Sequence, residues 1–180
     1  MLPEQFCVRM KEMLGEEYAA FYASYDLPKY QALRINPLKT ERDTFLLQAP
    51  FSLNRVPWTT NGYYYSGNDQ PGRHPYHEAG VYYIQEPSAM APAEYLMAEP
   101  GERILDLCAA PGGKSTQSAC SMQGEGLIVC NEIHPARAKI LSENIERMGV
   151  CNALVTNETP QKLSDNFREY FDRILVDAPC

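Results

Sequence analysis

Apolar positions along this chain follow one period near the start and a different order after about residue 80. Between residues 3 and 25, Phe6, Met10, Met13, Leu14, Tyr18, Phe21 and Tyr22 recur at three- and four-residue steps, which predicts a helix with one apolar side. ALRINPLKT, residues 32–40, reads as a short extended run stopped at Asn36-Pro37. TTNGYYYSG, residues 59–67, sets Asn61-Gly62 beside strand-prone tyrosines and predicts a tight hairpin. The turn-rich NDQPGRHP, residues 68–75, is the best internal boundary, and no repeat or low-complexity tract is visible.

From there the elements alternate. YYIQEPSAMAPAEYLMAEPG, residues 82–101, reads as a strand followed by a helix that opens near Pro87-Ser88 and closes before Pro100-Gly101. RILDLC, GLIVCNE, NALVTNE and DRILVDAPC are four apolar strands. KSTQSACSM forms a helix after the first of them. HPARAKILSENIERMG forms another after the second, with Pro135 in its first turn and Gly149 just past its end. Strands alternating with helices predict an α/β fold with a parallel sheet, here an incomplete Rossmann-like one. The division expected is a small α+β N-terminal segment over residues 1–79 and the partial Rossmann-like domain over residues 80–180. Right-handed crossovers bring the strand C-termini, and any ligand, to one edge.

Composition narrows the classes. The 180 residues carry a net charge of −7, and the pI is about 5.0. A strong self-sufficient nucleic-acid binder draws affinity from clustered Lys and Arg, so the balance argues against one while leaving room for a local basic groove. Lys29, Arg34, Lys39 and Arg42 form one modest cluster, diluted by Glu41, and read as a solvated face. No apolar run is long enough for a membrane span, and the charged N-terminus lacks a signal-peptide core. Six cysteines without a CxxC pair suit free thiols in a reducing cytoplasm.

The stretch RILDLCAAPGGKST, residues 103–116, holds the candidate chemistry. A phosphate-binding GxxxxGK[ST] loop would need glycine at position 108, where this chain has Cys108. The dinucleotide pattern GxGxxG fails too, because the segment offers only the adjacent Gly112 and Gly113, and a nicotinamide enzyme is disfavoured with it. The remaining reading is an adenosine-bearing ligand without phosphates, approached closely by small residues at Ala109, Ala110, Gly112 and Gly113. Glu132, 19 residues beyond Gly113, stands at the tip of the next strand, where an acid would accept hydrogen bonds from two ribose hydroxyls. Asp106 would orient loop amides or meet a cationic ligand group, and Asp177 ends the fourth strand on the same sheet edge. S-adenosylmethionine, a sulfonium with free ribose hydroxyls, meets these requirements.

LDLCAAPGGKS at 105–115 together with VDAPC at 176–180 resembles the RNA 5-methylcytosine methyltransferases of the NOL1/NOP2/Sun family. RINPLK at 34–39 and GVYYIQEPSAM at 80–90 resemble further segments of that family, and VCNEIHPAR agrees with its bacterial rRNA subgroup. The resemblance implies a Rossmann-like methyltransferase domain whose cofactor is S-adenosyl-L-methionine. It places Cys108, Ala109, Ala110, Pro111, Gly112, Gly113 and Lys114 in the cofactor loop, Glu132 at the ribose and Asp177 at the cofactor–base junction. It makes Cys180, after Asp-x-Pro, the cysteine that assists release of the adduct. Asn157, Glu158 and Thr159 share the place where the family often has an adenine-contacting aspartate.

Cytosine C5 is too weak a nucleophile to accept a methyl group unaided. A thiolate adding at C6 raises electron density at C5, and a base later removes the C5 proton. In the family resembled, the attacking cysteine lies on a later strand, beyond Cys180. The expectation is therefore the N-terminal portion of an RNA cytosine-C5 methyltransferase that binds cofactor weakly and does not methylate RNA alone. RNA is the expected partner, ribosomal ahead of transfer RNA, with residues 1–79 a candidate contact region. The reading set against it is a non-catalytic RNA-binding or adaptor module that keeps the cofactor fold. Cys7, Cys108, Cys120, Cys130 and Cys151 read as small apolar fillers. His74 and His77 lack third and fourth ligands, so no metal is expected. Tyr63, Tyr64, Tyr65, Tyr82 and Tyr83 read as strand and core residues ahead of base-stacking ones.

Overall fold

A computed structural model describes residues 2–178 of the chain. Its contacts separate residues 1–30 from residues 31–180. The first unit contains α1 (Glu4–Leu14) and α2 (Tyr18–Ser24). The apolar period predicted one helix, but Gly15 takes φ 52° and a single 3₁₀ turn separates two. Glycine tolerates that backbone, so the chain breaks there while the apolar face stays in phase. Phe6, Phe21 and Tyr25 cluster with ring centroids 5.4 to 6.4 Å apart, yet neither helix has a buried residue.

The second unit is built on two four-stranded sheets. The antiparallel one has the order β2 (Leu53–Arg55), β3 (Gly62–Tyr65), β1 (Ala32–Ile35), β4 (Tyr82–Ile84). α3 (Arg42–Gln48) and α4 (Pro75–Glu78) lie in its connections. Leu33 sits opposite Tyr63 on one side and Ile84 on the other. Leu33, Ile35, Phe45, Tyr63 and Tyr82 form its core, so the tyrosines serve packing as expected. β4 lies past residue 79, so a boundary at 79/80 runs through this sheet. Hydrogen bonding to β1, and not the turn-rich loop, decides where the edge strand belongs. The Asn61-Gly62 hairpin does not form as predicted. Gly62 opens β3, and a Cβ there would collide with Thr59 and Met90, so close approach explains this glycine.

The parallel sheet has the order β7 (Ala153–Thr156), β6 (Leu127–Asn131), β5 (Arg103–Asp106), β8 (Arg173–Leu175). α5 (Ala91–Leu96) precedes β5, α6 (Gly113–Ser121) follows it, α7 (Pro135–Met148) follows β6 and α8 (Pro160–Asn166) follows β7. Ile104, Ile128 and Cys130 pack with Leu141, Ile145 and Met148 in one cluster. Leu105 and Val129 pack with Leu163 in another. Alternate strand residues therefore supply two clusters, as a sheet covered on both faces requires. β5 is paired with β6 on one side and β8 on the other, so the chain reverses its winding there and a crevice opens at the strand C-termini. α3, α8 and β2 were not visible in the pattern, being short and weakly periodic. Among the described residues, no helix is long and apolar enough to cross a membrane.

Candidate functional site

The loop after β5 is tied down from three directions. The Ala109 amide donates to Asn131 O at 2.8 Å, fastening it to the end of β6. The Gly112 amide donates to Ala109 O at 2.8 Å, and Gly112 takes φ 111° where α6 begins. The Asn144 amide of α7 donates to Pro111 O at 2.8 Å. The small residues do not all face open space as the sequence suggested. A Cβ on Gly112 would press Leu141 at 3.2 Å, and one on Gly113 would press Tyr83 at 3.3 Å and Gln85 at 3.4 Å. Ala109 and Ala110 are buried in the core cluster. Smallness here lets α6 and α7 close on the sheet, and the loop reaches solvent on its other side.

That side lines a crevice of about 500 Å³, bounded by Cys108 to Pro111, Gly113, Lys114 and Asp177 on the parallel-sheet side. Tyr83, Gln85, Glu86 and Ala89 bound it from the region of β4. Asp106 ends β5 at 1% exposure. Its Oδ2 accepts from the Ser115 hydroxyl at 2.7 Å, while Oδ1 is buried with no hydrogen-bond partner among the described residues. Burial pushes this carboxyl up to about 6, against the Ser115 hydroxyl, the Lys114 ammonium and the Cys108 amide, which favour the charged form. Lys114 Nζ lies 2.6 Å from Asp177 Oδ2, with the Asp177 carboxylate half exposed.

Glu132, 3% exposed, does not line the large crevice. It lies in a pocket of about 90 Å³ with Leu107, Asn131, His134 and Pro160, and Cys108 and Arg137 form walls of both spaces. Its Oε1 accepts from the His134 amide at 2.9 Å, and its Oε2 lies 3.1 Å from Arg137 Nη1. Burial, followed by the charges of Asp106, Glu132 and Asp177, raises the Cys108 thiol, so that sulfur is a poor source of thiolate. The three residues offered by the sequence for an adenine contact already have partners. Asn157 donates to Glu132 O, Glu158 is 2.9 Å from Lys162, and Thr159 caps α8 by accepting from the Lys162 amide. Cys180 lies outside the described residues.

Lys29, Lys39 and Arg42 are exposed, as a solvated face requires, but Arg34 is not part of that face. It is 1% exposed, inserted from β1, and hydrogen-bonds to no carboxylate among the described residues. Nε donates to Gln85 Oε1 at 3.0 Å, and Nη2 donates to Thr116 Oγ1 at 2.8 Å and Gly113 O at 3.2 Å. Desolvation lowers its pKa, with Cys120 the first of the groups opposing that. Asn36 donates to Gly80 O and Met148 O, both at 2.8 Å. The Arg-x-Asn pair therefore staples the antiparallel sheet to the first turn of α6 and the end of α7. The available signal was a charged residue in an apolar extended run. Ser115 and Arg137 were also missed, the first hidden in a helix-like stretch and the second on an ordinary charged face.

Of the other cysteines, only Cys130 is buried, Cys7 and Cys120 are half-buried, and Cys151 is exposed, so the filler role holds for Cys130 alone. His74 caps α4 by accepting from the Tyr76 amide, and His77 contacts Glu78.

Comparison with known proteins identifies what the chain is similar to. A family model described as the N-terminal domain of 16S rRNA methyltransferase RsmF matches residues 2–87. A second, described as 16S rRNA methyltransferase RsmB/F, matches residues 93–180. Ribosomal RNA small subunit methyltransferase F of Citrobacter koseri is 38% identical over 189 aligned positions, covering 99% of this chain and 40% of that protein. The Enterobacter sp. protein of the same name is 37% identical over 99% of this chain and 39% of its own length. The chain thus spans about 40% of the length of these relatives. A methyltransferase homologue from Pyrococcus horikoshii is 30% identical with a TM-score of 0.87, covering 99% of this chain and 60% of that structure. With consecutive family models matching nearly its whole length, the chain belongs to the 16S rRNA methyltransferase RsmB/F family.

Proposed function

We propose that this chain is the cofactor-binding portion of an S-adenosylmethionine-dependent RNA methyltransferase acting on cytosine C5 in ribosomal RNA of the cytoplasm. The observation that carries the reading is Asp106, whose Oδ1 is buried at the end of β5 without a partner among the described residues. A buried acceptor of that kind calls for a donor, and an ammonium group satisfies it best. Glu132, one strand away, is an acid of the kind that accepts a vicinal diol. The site suits phosphate poorly, since Lys114 and Arg137 are already paired with Asp177 and Glu132.

The residues that would hold S-adenosylmethionine are the loop Cys108–Lys114, Asp106 at the amino acid end, Glu132 at the ribose and Asp177 toward the base. When bound, that cofactor supplies an electrophilic methyl group on a sulfonium. The chain's own residues prepare the setting. The loop is fastened to the end of β6 and to α7, Lys114 holds Asp177 at the crevice mouth, and Tyr83 and Gln85 close the opposite wall. Cys180 is assigned the release of the cytosine adduct by its place after Asp-x-Pro. RNA is assigned as partner by the family, with residues 1–79 offered as a contact region.

Calorimetry on this chain with S-adenosylhomocysteine, NAD and ATP in parallel tests the reading. Binding of the first alone is expected. Binding of NAD or ATP in its place would overturn the cofactor assignment, and binding of none favours an adaptor that keeps the fold as scaffold.

A further inference from the structure

Arg137 occupies an unusual place between the two spaces. It sits in the first turn of α7, its side chain 47% exposed, while the carboxylate it contacts is 3% exposed. One guanidinium nitrogen, Nη1, reaches Glu132 Oε2 at 3.1 Å, and the other, Nη2, donates to Ala110 O at 2.8 Å. The loop after β5 and the acid after β6 are thereby joined by one rigid planar group. Arginine's planar fork serves two acceptors on separate segments in a fixed geometry, whereas lysine's ammonium is a compact charge on a flexible stem.

The state of Glu132 follows. Each of its oxygens has one partner: Oε1 accepts a hydrogen bond from the His134 amide, and Oε2 is in an ion pair with Arg137. An ionised carboxylate offers about four lone-pair sites on its two oxygens, so each oxygen keeps capacity for one further donor. Held at both oxygens, the group cannot rotate freely, and a vicinal diol would meet an acceptor already oriented. Preorganisation of this kind raises affinity by removing the ordering that binding would otherwise require.

We propose that Arg137 is a positioning residue for ribose recognition, bridging Ala110 and Glu132 so that the acid stands ready for a vicinal diol. The inference rests on the assignment of Glu132 to the ribose and adds the group that makes that acid selective. Arg137 acts through Glu132 and through the loop carbonyl.

The experiment compares S-adenosylhomocysteine with its 2′-deoxy analogue by calorimetry on wild type, Arg137→Ala, Arg137→Lys and Glu132→Gln. Wild type is expected to prefer the ribo ligand by about tenfold or more, the worth of a hydrogen bond to a charged group. In Arg137→Ala the preference falls to within about threefold, because affinity drops for the ribo ligand and hardly for the deoxy one. Arg137→Lys, which keeps the charge without the fork, loses most of the preference as well, and it serves alone should the alanine variant fail to fold. A merely structural role would weaken both ligands alike, and an unchanged ratio in either arginine variant overturns the proposal. Glu132→Gln separates the two levels. If it abolishes the preference while the arginine variants keep it, only the role of Arg137 is lost. If it leaves the preference intact, the ribose assignment fails and the proposal with it. Absence of S-adenosylhomocysteine binding by folded wild type overturns both.

Discussion

The tips of β5 and β6 are neighbours in one sheet, and each buries a carboxylate almost completely, yet the two acids are in opposite states. Glu132 has a partner on each oxygen, one from the backbone of its own turn and one from Arg137. Asp106 has Ser115 on one oxygen, and the other has no hydrogen-bond partner among the described residues. Depth is the same, so burial does not distinguish them; the difference lies in what the adjoining helix supplies. α7 brings a charged fork to β6, and α6 brings a single hydroxyl to β5. The result is one acid held at both oxygens and one held at a single oxygen.

The largest way to break this comparison lies outside the sheet. Arg34 holds the first turn of α6, and that turn carries Ser115, so the tip of β5 depends on a residue of β1. Arg34→Ala leaves Gln85, Gly113 and Thr116 short of a buried donor and opens a cavity. A loss of about 4 kcal/mol in unfolding free energy is expected by urea titration. A loss under about 1 kcal/mol would mean that α6 is held by packing alone.

Asp106→Asn sharpens the comparison at its centre. The folded carboxyl is raised from 3.8 to about 6, so the native state binds the proton more tightly than the unfolded chain does. Asp106's contribution to stability is therefore fully present below about pH 4 and is lost as pH rises to about 6 and beyond. At pH 8 the asparagine variant should be the more stable by up to about 3 kcal/mol, with the gap closing by pH 4 in urea titrations. The same carboxylate should make S-adenosylhomocysteine bind more weakly as pH falls through about 6. 5′-Methylthioadenosine, which has no ammonium, should bind with little change. Parallel pH profiles for the two ligands would remove Asp106 from the amino acid end of the site.

The smallest effect is expected at the mouth of the crevice. Lys114 and Asp177 are close, but the Asp177 side chain is 53% exposed and solvent screens the pair. Asp177→Asn should change thermal stability by less than about 1 kcal/mol, measured by thermal unfolding. A larger loss would show that this pair braces the fold, and that Asp177 belongs with the structural acids.

The pattern of apolar positions carried the centre of the parallel sheet well, because β5 and β6 are almost continuous buried runs and α6 and α7 are bounded by glycine or proline. Pro135 and Gly149 bound α7 where the sequence placed them. Residues 1–79 were harder to read. β2 and β3 are three and four residues long, too short for a period to show, and Asn61-Gly62 serves close packing, not a tight turn. The candidate site divides in the same manner. Asp106, the glycine loop, Glu132 and Asp177 were legible because each lies at a strand end or in the loop that follows one. Arg34, Ser115 and Arg137 were not, since what matters about them is a partner far along the chain or a turn away.

The sequence alone determined the alternation of strands and helices, the absence of a phosphate-binding glycine pattern and the row of acids along one sheet edge. Those are local properties, set by spacing and by the chemistry of single residues. Only the tertiary structure decided that Arg34 is buried, that Gly112 and Gly113 meet protein, and that Glu132 is held by Arg137 while Asp106 is held at a single oxygen. Hydrogen bonds and burial join residues that the chain keeps apart, and their balance exists only once the strands and helices are packed.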